Sequence, residues 1–158
     1  MRPTLQVRRL DADDVELAVR AIQELKPEVE AGSARDEGAM ATWLSDESHV
    51  LLVAAAGKSP VGFALGYLLQ RVGEPAPMLF FYEIEVREDV RQRGIGSKLV
   101  CAMKLIAGQA GACKMWVQTS PDNVAAHALY RSQGAVRSPE PDCVYSWCDL
   151  PKSQVDDC

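Results

Sequence analysis

The sequence predicts a single α/β domain on a mixed, mostly antiparallel sheet flanked by helices. Three observations carry this. The chain has 158 residues, enough for one domain with a core and too few for two ordinary ones. Runs of β-formers and helix-periodic segments follow one another in the order β-α-α-β-β-β-α-β-α-β. No repeat or internal linker interrupts that order, so residues 1–150 read as one domain and 151–158 as a polar tail.

"LQVRRL" (5–10) alternates as a strand does. Asp11 is placed to cap a helix, with Asp14 three residues on, where acidic groups suit the positive helix end. Val15, Ala18, Val19, Ile22 and Leu25 then recur at helical spacing up to Pro27. "EVEAGSARD" (28–36) is a loop, and a short helix over about 35–45 carries Met40, Trp43 and Leu44. "HVLLVAAA" (49–56), the turn "GKSP" and "VGFALGYLLQRV" (61–72) form an antiparallel hairpin. "LFFYEIEV" (79–86) is the next strand. A helix opens near Gly94 and runs to about Ala110, with Ile95, Leu99, Met103 and Ile106 on its apolar side. "MWVQT" (115–119) is a strand, "SPDNVAAHALYRSQG" (120–134) a capped helix stopped by Gly134, and "CVYSWCDL" (143–150) the last strand.

Composition narrows the function. Hydrophobic residues make up 47% and charged residues 25%, the balance of a globular chain. No apolar run is long enough to span a bilayer, and "MRPTLQVRRLDADD" lacks the apolar centre of a secretion signal, so a cytoplasmic protein is expected. Five scattered cysteines, with no ligand spacing to His49 or His127, predict reduced thiols and no metal. A net charge of −5 argues against a nucleic-acid partner. Residues 1–50 hold 11 acidic against 6 basic residues, which equals the excess of the whole chain. Arg87, Arg91, Arg93 and Lys98 make residues 87–98 locally basic. An acidic part beside a basic turn suggests one cationic and one anionic ligand.

The basic turn, "RQRGIG" (91–96), lies between a strand and a helix N-terminus. There the first backbone N–H groups lack intrahelical partners and the dipole is positive, so the turn suits a pyrophosphate. A P-loop does not fit, because Ser97-Lys98 follows Gly96 in the wrong order. A dinucleotide fold does not fit either, because the third glycine is missing and the turn does not follow a first strand.

Arg91-Gln92-Arg93-Gly94-Ile95-Gly96, preceded by "IEV" and followed by an amphipathic helix, resembles the acetyl-CoA motif of the Gcn5-related N-acetyltransferases, the GNAT superfamily. "DNVAAHALYRSQGA" (122–135) resembles the second motif of that superfamily. Within it, "LLVAAAGKSPVGFALGYLLQR", "FYEIEV" and "WVQTSPDN" are most similar to the aminoglycoside 3-N-acetyltransferases of this fold. Glu83 stands where those enzymes carry an aspartate, and Asp122-Asn123 where they carry paired aspartates.

The resemblance implies a GNAT-like domain, acetyl-CoA as co-substrate, a small cationic amine as acceptor and a homodimer. It implies that backbone groups of Ile84 and Val86 pair with the pantetheine arm as an added strand would. Arg91, Gln92, Arg93, Gly94, Ile95, Gly96, Ser97 and Lys98 are expected at the pyrophosphate. Asn123 is expected at the cofactor, at the cap of its helix, or both.

Direct attack of an amine on a thioester needs a proton acceptor and a proton donor. Glu83 is the candidate base, and with Glu85 and Asp122 it is a candidate contact for the cationic acceptor. A carboxylate is a weak base unless its surroundings or a relaying water help it. Tyr130 is the candidate acid toward the leaving thiolate, and His127 is expected to be a packed helix residue. Cys101 and Cys113 lack a neighbouring activating group, so direct transfer is favoured over a thiol carrier. Two other readings follow from the same residues. One keeps acetyl transfer but takes a polyamine, another small amine or a protein amine as acceptor. The other is a non-catalytic acyl-CoA-binding regulatory domain.

Overall fold

The structure is a computed structural model and describes residues 4–29, 36–139 and 144–152. Its elements are β1 (Leu5–Arg9), α1 (Val15–Leu25), α2 (Glu37–Leu44), β2 (His49–Ala56), β3 (Ser59–Leu69), β4 (Met78–Val86), α3 (Ile95–Gln109), β5 (Lys114–Gln118), α4 (Val124–Ser132), β6 (Val136–Arg137) and β7 (Val144–Trp147). Each expected strand and helix is present. The two-residue β6 was not expected, being too short to carry a period. Most of the loop expected over 28–36, and residues 153–158 of the tail, lie outside the described residues.

The sheet runs β1-β2-β3-β4-β5-β7-β6. The β4–β5 pair is parallel and the other pairs are antiparallel. The unbroken apolar run of β2 serves two cores, as a strand covered on both faces must. Val50, Leu52 and Ala54 join Leu79, Phe81, Leu99, Met103 and Met115 under α3. Leu51 and Val53 join Phe63, Ala18, Ala21, Leu25 and Leu44 under α1 and α2.

Local chemistry fixes the helix starts. Asp11 and Asp14 form a reciprocal capping box, but around a 3-10 turn (Ala12–Asp14) that leads into α1. Asp36 caps α2 by accepting from the N–H groups of Gly38 and Ala39. Behind α3, the carbonyl oxygen of Pro151 lies where a Cβ on Gly108 would come within 1.7 Å, so the chain after β7 packs on α3 through a glycine.

One correction concerns the thiols. Cys113 and Cys148 are free, whereas Cys101 on α3 is disulfide-bonded, against the expectation that all five are reduced. The scattered spacing gave no sign of pairing. No described helix is long and apolar enough to cross a membrane.

A bulge in β4 decides what reaches the functional face. Leu65 pairs with Glu83 but Gly66 pairs with Phe81, so Tyr82 is an extra residue on β4. Leu79 and Phe81 are buried under α3, and unbroken alternation would drive Glu83 and Glu85 into the same core. The bulge instead gives that face to Ile84 and Val86, which pack on the α3 core. Glu83 and Glu85 pair with Leu65 and Phe63 on the opposite face, beside α1.

Candidate active site

The site begins where two parallel strands part. β4 pairs with β5 only from Met78 to Phe80 and from Lys114 to Trp116. The last partners, Phe80 and Trp116, stack with ring centroids 4.1 Å apart. Beyond them β4 continues to Val86 without β5, which frees backbone groups along that edge. A cleft of about 600 Å³ fills the fork. Its walls are Tyr82 to Val86 of β4, the turn before α3, Gln118 and Thr119 after β5, and α4 from Asn123 to Tyr130.

The turn builds an anion cradle. Gln92 and Gly94 have positive φ values of 59° and 78°, and such alternation turns successive N–H groups toward one side. Glycine takes this conformation freely at 94, whereas Gln92 is strained, as residues at ligand sites often are. The 15-residue α3 starts at Ile95 with no side-chain cap and no acidic residue in its first turn. Its positive end is therefore left for an outside anion.

Arg91 lies folded along β4. Its Nε donates to the Val86 carbonyl at 2.9 Å and its Nη2 to Glu85 Oε1 at 2.9 Å. Arg93 donates to the Asp89 carbonyl at 3.2 Å.

On the other wall, Glu83 forms an ion pair of 2.6 Å with Lys26 Nζ, which extends from the end of α1. Tyr67 and Tyr82 stand beside it, ring centroids 5.8 Å apart. Burial, then the Tyr82 phenol and the Glu83 carboxylate, push the Tyr67 phenol above its usual range.

Tyr130 projects from α4 with 3% exposure and packs against Phe81, Tyr145 and Trp147. Burial pushes its phenol up to about 12. Asn123 caps α4 by accepting from the Ala126 N–H at 3.1 Å, and it also lines the cleft. His127 is packed, as expected. Its Nε2 faces the carbonyls of Ser120 and Pro121, which can only accept, so its Nδ1 accepts from the Tyr145 hydroxyl at 2.6 Å.

Of the residues expected at the site, the cleft gathers Glu83, Ile84, Glu85, Val86, Arg91, Gln92, Gly94, Ile95, Gly96, Ser97, Asn123 and Tyr130. Arg93, Lys98 and Asp122 are exposed and lie outside its wall. Sequence reasoning missed Lys26, Tyr67 and Tyr82, and also Gln118 and Thr119. Tyr82 is placed by the bulge, Lys26 by where α1 ends, and Gln118 and Thr119 by the parting of β5 from β4, none of which spacing shows. A second cavity of about 430 Å³ by β1 and α1 mixes Arg8, Arg20 and Lys58 with Asp13, Asp14 and Glu16, and holds none of the expected site residues.

Comparison with known proteins adds independent findings. The model of the acetyltransferase (GNAT) family matches residues 17–135. The GCN5-related N-acetyltransferase 7, chloroplastic, of Arabidopsis thaliana is 29% identical over 92 residues, 58% of this chain and 28% of that protein. The match thus spans little more than a quarter of that relative. Among solved structures, an aminoglycoside acetyltransferase from an uncultured soil metagenomic sample, in complex with sisomicin, superposes with a TM-score of 0.75. It is 22% identical and covers 86% of this chain and 91% of its own. AAC(6')-Iy, in complex with a CoA-based bisubstrate analogue, has a TM-score of 0.71 at 18% identity, over 98% of this chain and 99% of its own. A ribosomal-protein-alanine N-acetyltransferase from Brucella melitensis has a TM-score of 0.65 at 18% identity, over 87% and 96%. At these identities the likeness to the solved structures is one of fold.

Proposed function

Because this chain belongs to the acetyltransferase (GNAT) family, we propose that its cleft takes acetyl-CoA and passes the acetyl group to an amine of a small cationic acceptor, an aminoglycoside in the leading case. The observation that carries this reading is the cleft itself. One cavity joins the open N-terminus of α3 to a carboxylate on β4 and a buried phenol on α4.

The residues present fit the co-substrate. The cradle from Arg91 to Ser97 suits its pyrophosphate, and the unpaired edge of β4 at Ile84 and Val86 suits an extended amide arm. Bound there, acetyl-CoA supplies an acetyl group already activated as a thioester. Arg93 and Lys98 lie outside the wall and add only positive field to the cradle. Glu83 takes the proton of the acceptor's ammonium, directly or through a water. Tyr130, its phenol held up near 12 by burial, keeps its proton at neutral pH and donates a hydrogen bond to the leaving sulfur, which departs as the thiolate.

Support for a cationic acceptor comes from Glu83 in the cleft wall and from the acidic excess of residues 1–50. The sisomicin-bound structural neighbour makes an aminoglycoside the first acceptor to try. Transfer to the 3-amino group is the narrower form, and its support is the sequence resemblance. A polyamine or another small amine is the second reading. The pairing of Glu83 with Lys26 and of Glu85 with Arg91 leaves less free negative charge for any polycation, which favours a small amine of low charge within that reading.

The test is thiol release from acetyl-CoA. The acceptors are aminoglycosides with and without a free 3-amino group, a polyamine and a lysine peptide, with acceptor-free controls for the protein's own thiols. Turnover confined to drugs bearing that amine is the expected result. Activity on the polyamine alone selects the second reading. Retained acetyl-CoA binding without any turnover selects the non-catalytic one.

A further inference from the structure

We propose that Lys26 is a built-in occupant of the acceptor's ammonium subsite, so that a cationic acceptor enters by displacing the Lys26 side chain from Glu83. The inference deepens the acetyl-transfer reading and rests on it for the word acceptor.

The Lys26 ammonium lies 2.6 Å from Glu83 Oε1, and both side chains are about one quarter exposed (23% and 24%). The pair is thus neither a solvated surface contact nor sealed in the core. Glu83 belongs to the cleft wall, so its partner stands at the border of the cleft. The same corner has two aromatic walls. Tyr82, the bulge residue, is 55% exposed and lines the cleft, and Tyr67 contacts it edge to face. Glu83 follows Tyr82 on β4 and pairs with Leu65, two residues before Tyr67 on β3, which brings the carboxylate and both rings to one corner. A carboxylate beside an exposed aromatic ring is what an ammonium group favours, through ion pairing and attraction to the ring face.

Lys26 follows the last residue of α1 and precedes Pro27, so only its own flexible stem holds the ammonium in place. Two ammonium groups at one carboxylate oxygen repel each other. An acceptor therefore competes with Lys26 for Glu83, and the resident lysine weakens binding of every cationic acceptor. It excludes acceptors that bring no positive charge to exchange. Lys26 is accordingly a specificity-determining residue.

The test measures spermidine binding by calorimetry to wild-type protein, Lys26→Met, Lys26→Arg and Tyr82→Ala. Lys26→Met keeps an apolar stem without the charge and is expected to bind about tenfold more tightly. Lys26→Arg is expected within about twofold of wild type, and Tyr82→Ala several-fold weaker. Equal or weaker binding by Lys26→Met overturns the proposal, as does no spermidine binding by either protein. A second readout needs no variant to be well folded. In wild-type protein with reductively ¹³C-methylated lysines, spermidine should move the Lys26 signal toward those of the exposed lysines, and a signal that stays in place while spermidine binds overturns the proposal. Transfer is scored separately by acetylated product. Its absence fails the catalytic reading and leaves the displacement result standing, while an unchanged affinity in Lys26→Met fails the inference and leaves transfer standing.

Discussion

Tyr130 is 3% exposed, and its burial among Phe81, Tyr145 and Trp147 raises its phenol to about 12. In the unfolded chain the same phenol ionises near ~10. The folded state therefore holds the proton through a window in which the unfolded state loses it. Stability from this group is fully present below pH ~10 and is lost as pH rises toward ~12. Between pH ~9 and pH ~11, urea unfolding should show wild-type protein losing about 1 kcal/mol that Tyr130→Phe does not lose. An identical pH dependence in both proteins would contradict the assignment. At this scale the sequence was legible where a side chain's position follows from its own motif. Tyr130, Glu83 and the glycine turn all reach the cleft. Lys26 was not legible, because its meaning depends on a partner 57 positions away in the chain, brought close by the register of α1 on the sheet.

Period and punctuation were enough to locate the helices and strands, but not the irregularity that matters most. "LFFYEIEV" reads as one alternating strand, yet the bulge at Tyr82 lets Leu79 and Phe81 face one core while Glu83 and Glu85 face away from it. No local pattern marks that extra residue; the cost of burying two carboxylates selects it once β4 is paired. The ends of α4 were more readable. Asn123 accepts from the Ala126 N–H, so Asn123→Ala should cost about 1 kcal/mol and lower Tm by roughly 2–4 °C. Asn123→Asp, which keeps the cap, should restore most of that loss. Equal loss in both variants would show that the side chain's other contacts, not the cap, set the stability.

The whole molecule is a sheet with helices on both faces and a fork where β4 leaves β5. Composition and element order were enough to read the fold class, whereas the fork depends on pairing that stops after three residues, and no pattern in either strand announces it. The packing of Pro151 on Gly108 is another long-range fact. Gly108→Ala would force a methyl group into that carbonyl and should destabilise the protein by about 2 kcal/mol or more, seen as a lower Tm. An unchanged Tm would mean that the chain after β7 contributes nothing to the fold. The fork is the feature that acetyl transfer depends on most. The direct measurement is mass-spectrometric detection of N-acetylated amine, with acetyl-CoA and either an aminoglycoside or a polyamine, for wild-type protein, Glu83→Gln and Tyr130→Phe. Acetylated product from wild-type protein, with kcat lowered about 100-fold in each variant, is the predicted result. Thiol release without N-acetylated product, or equal product from all three proteins, would contradict it.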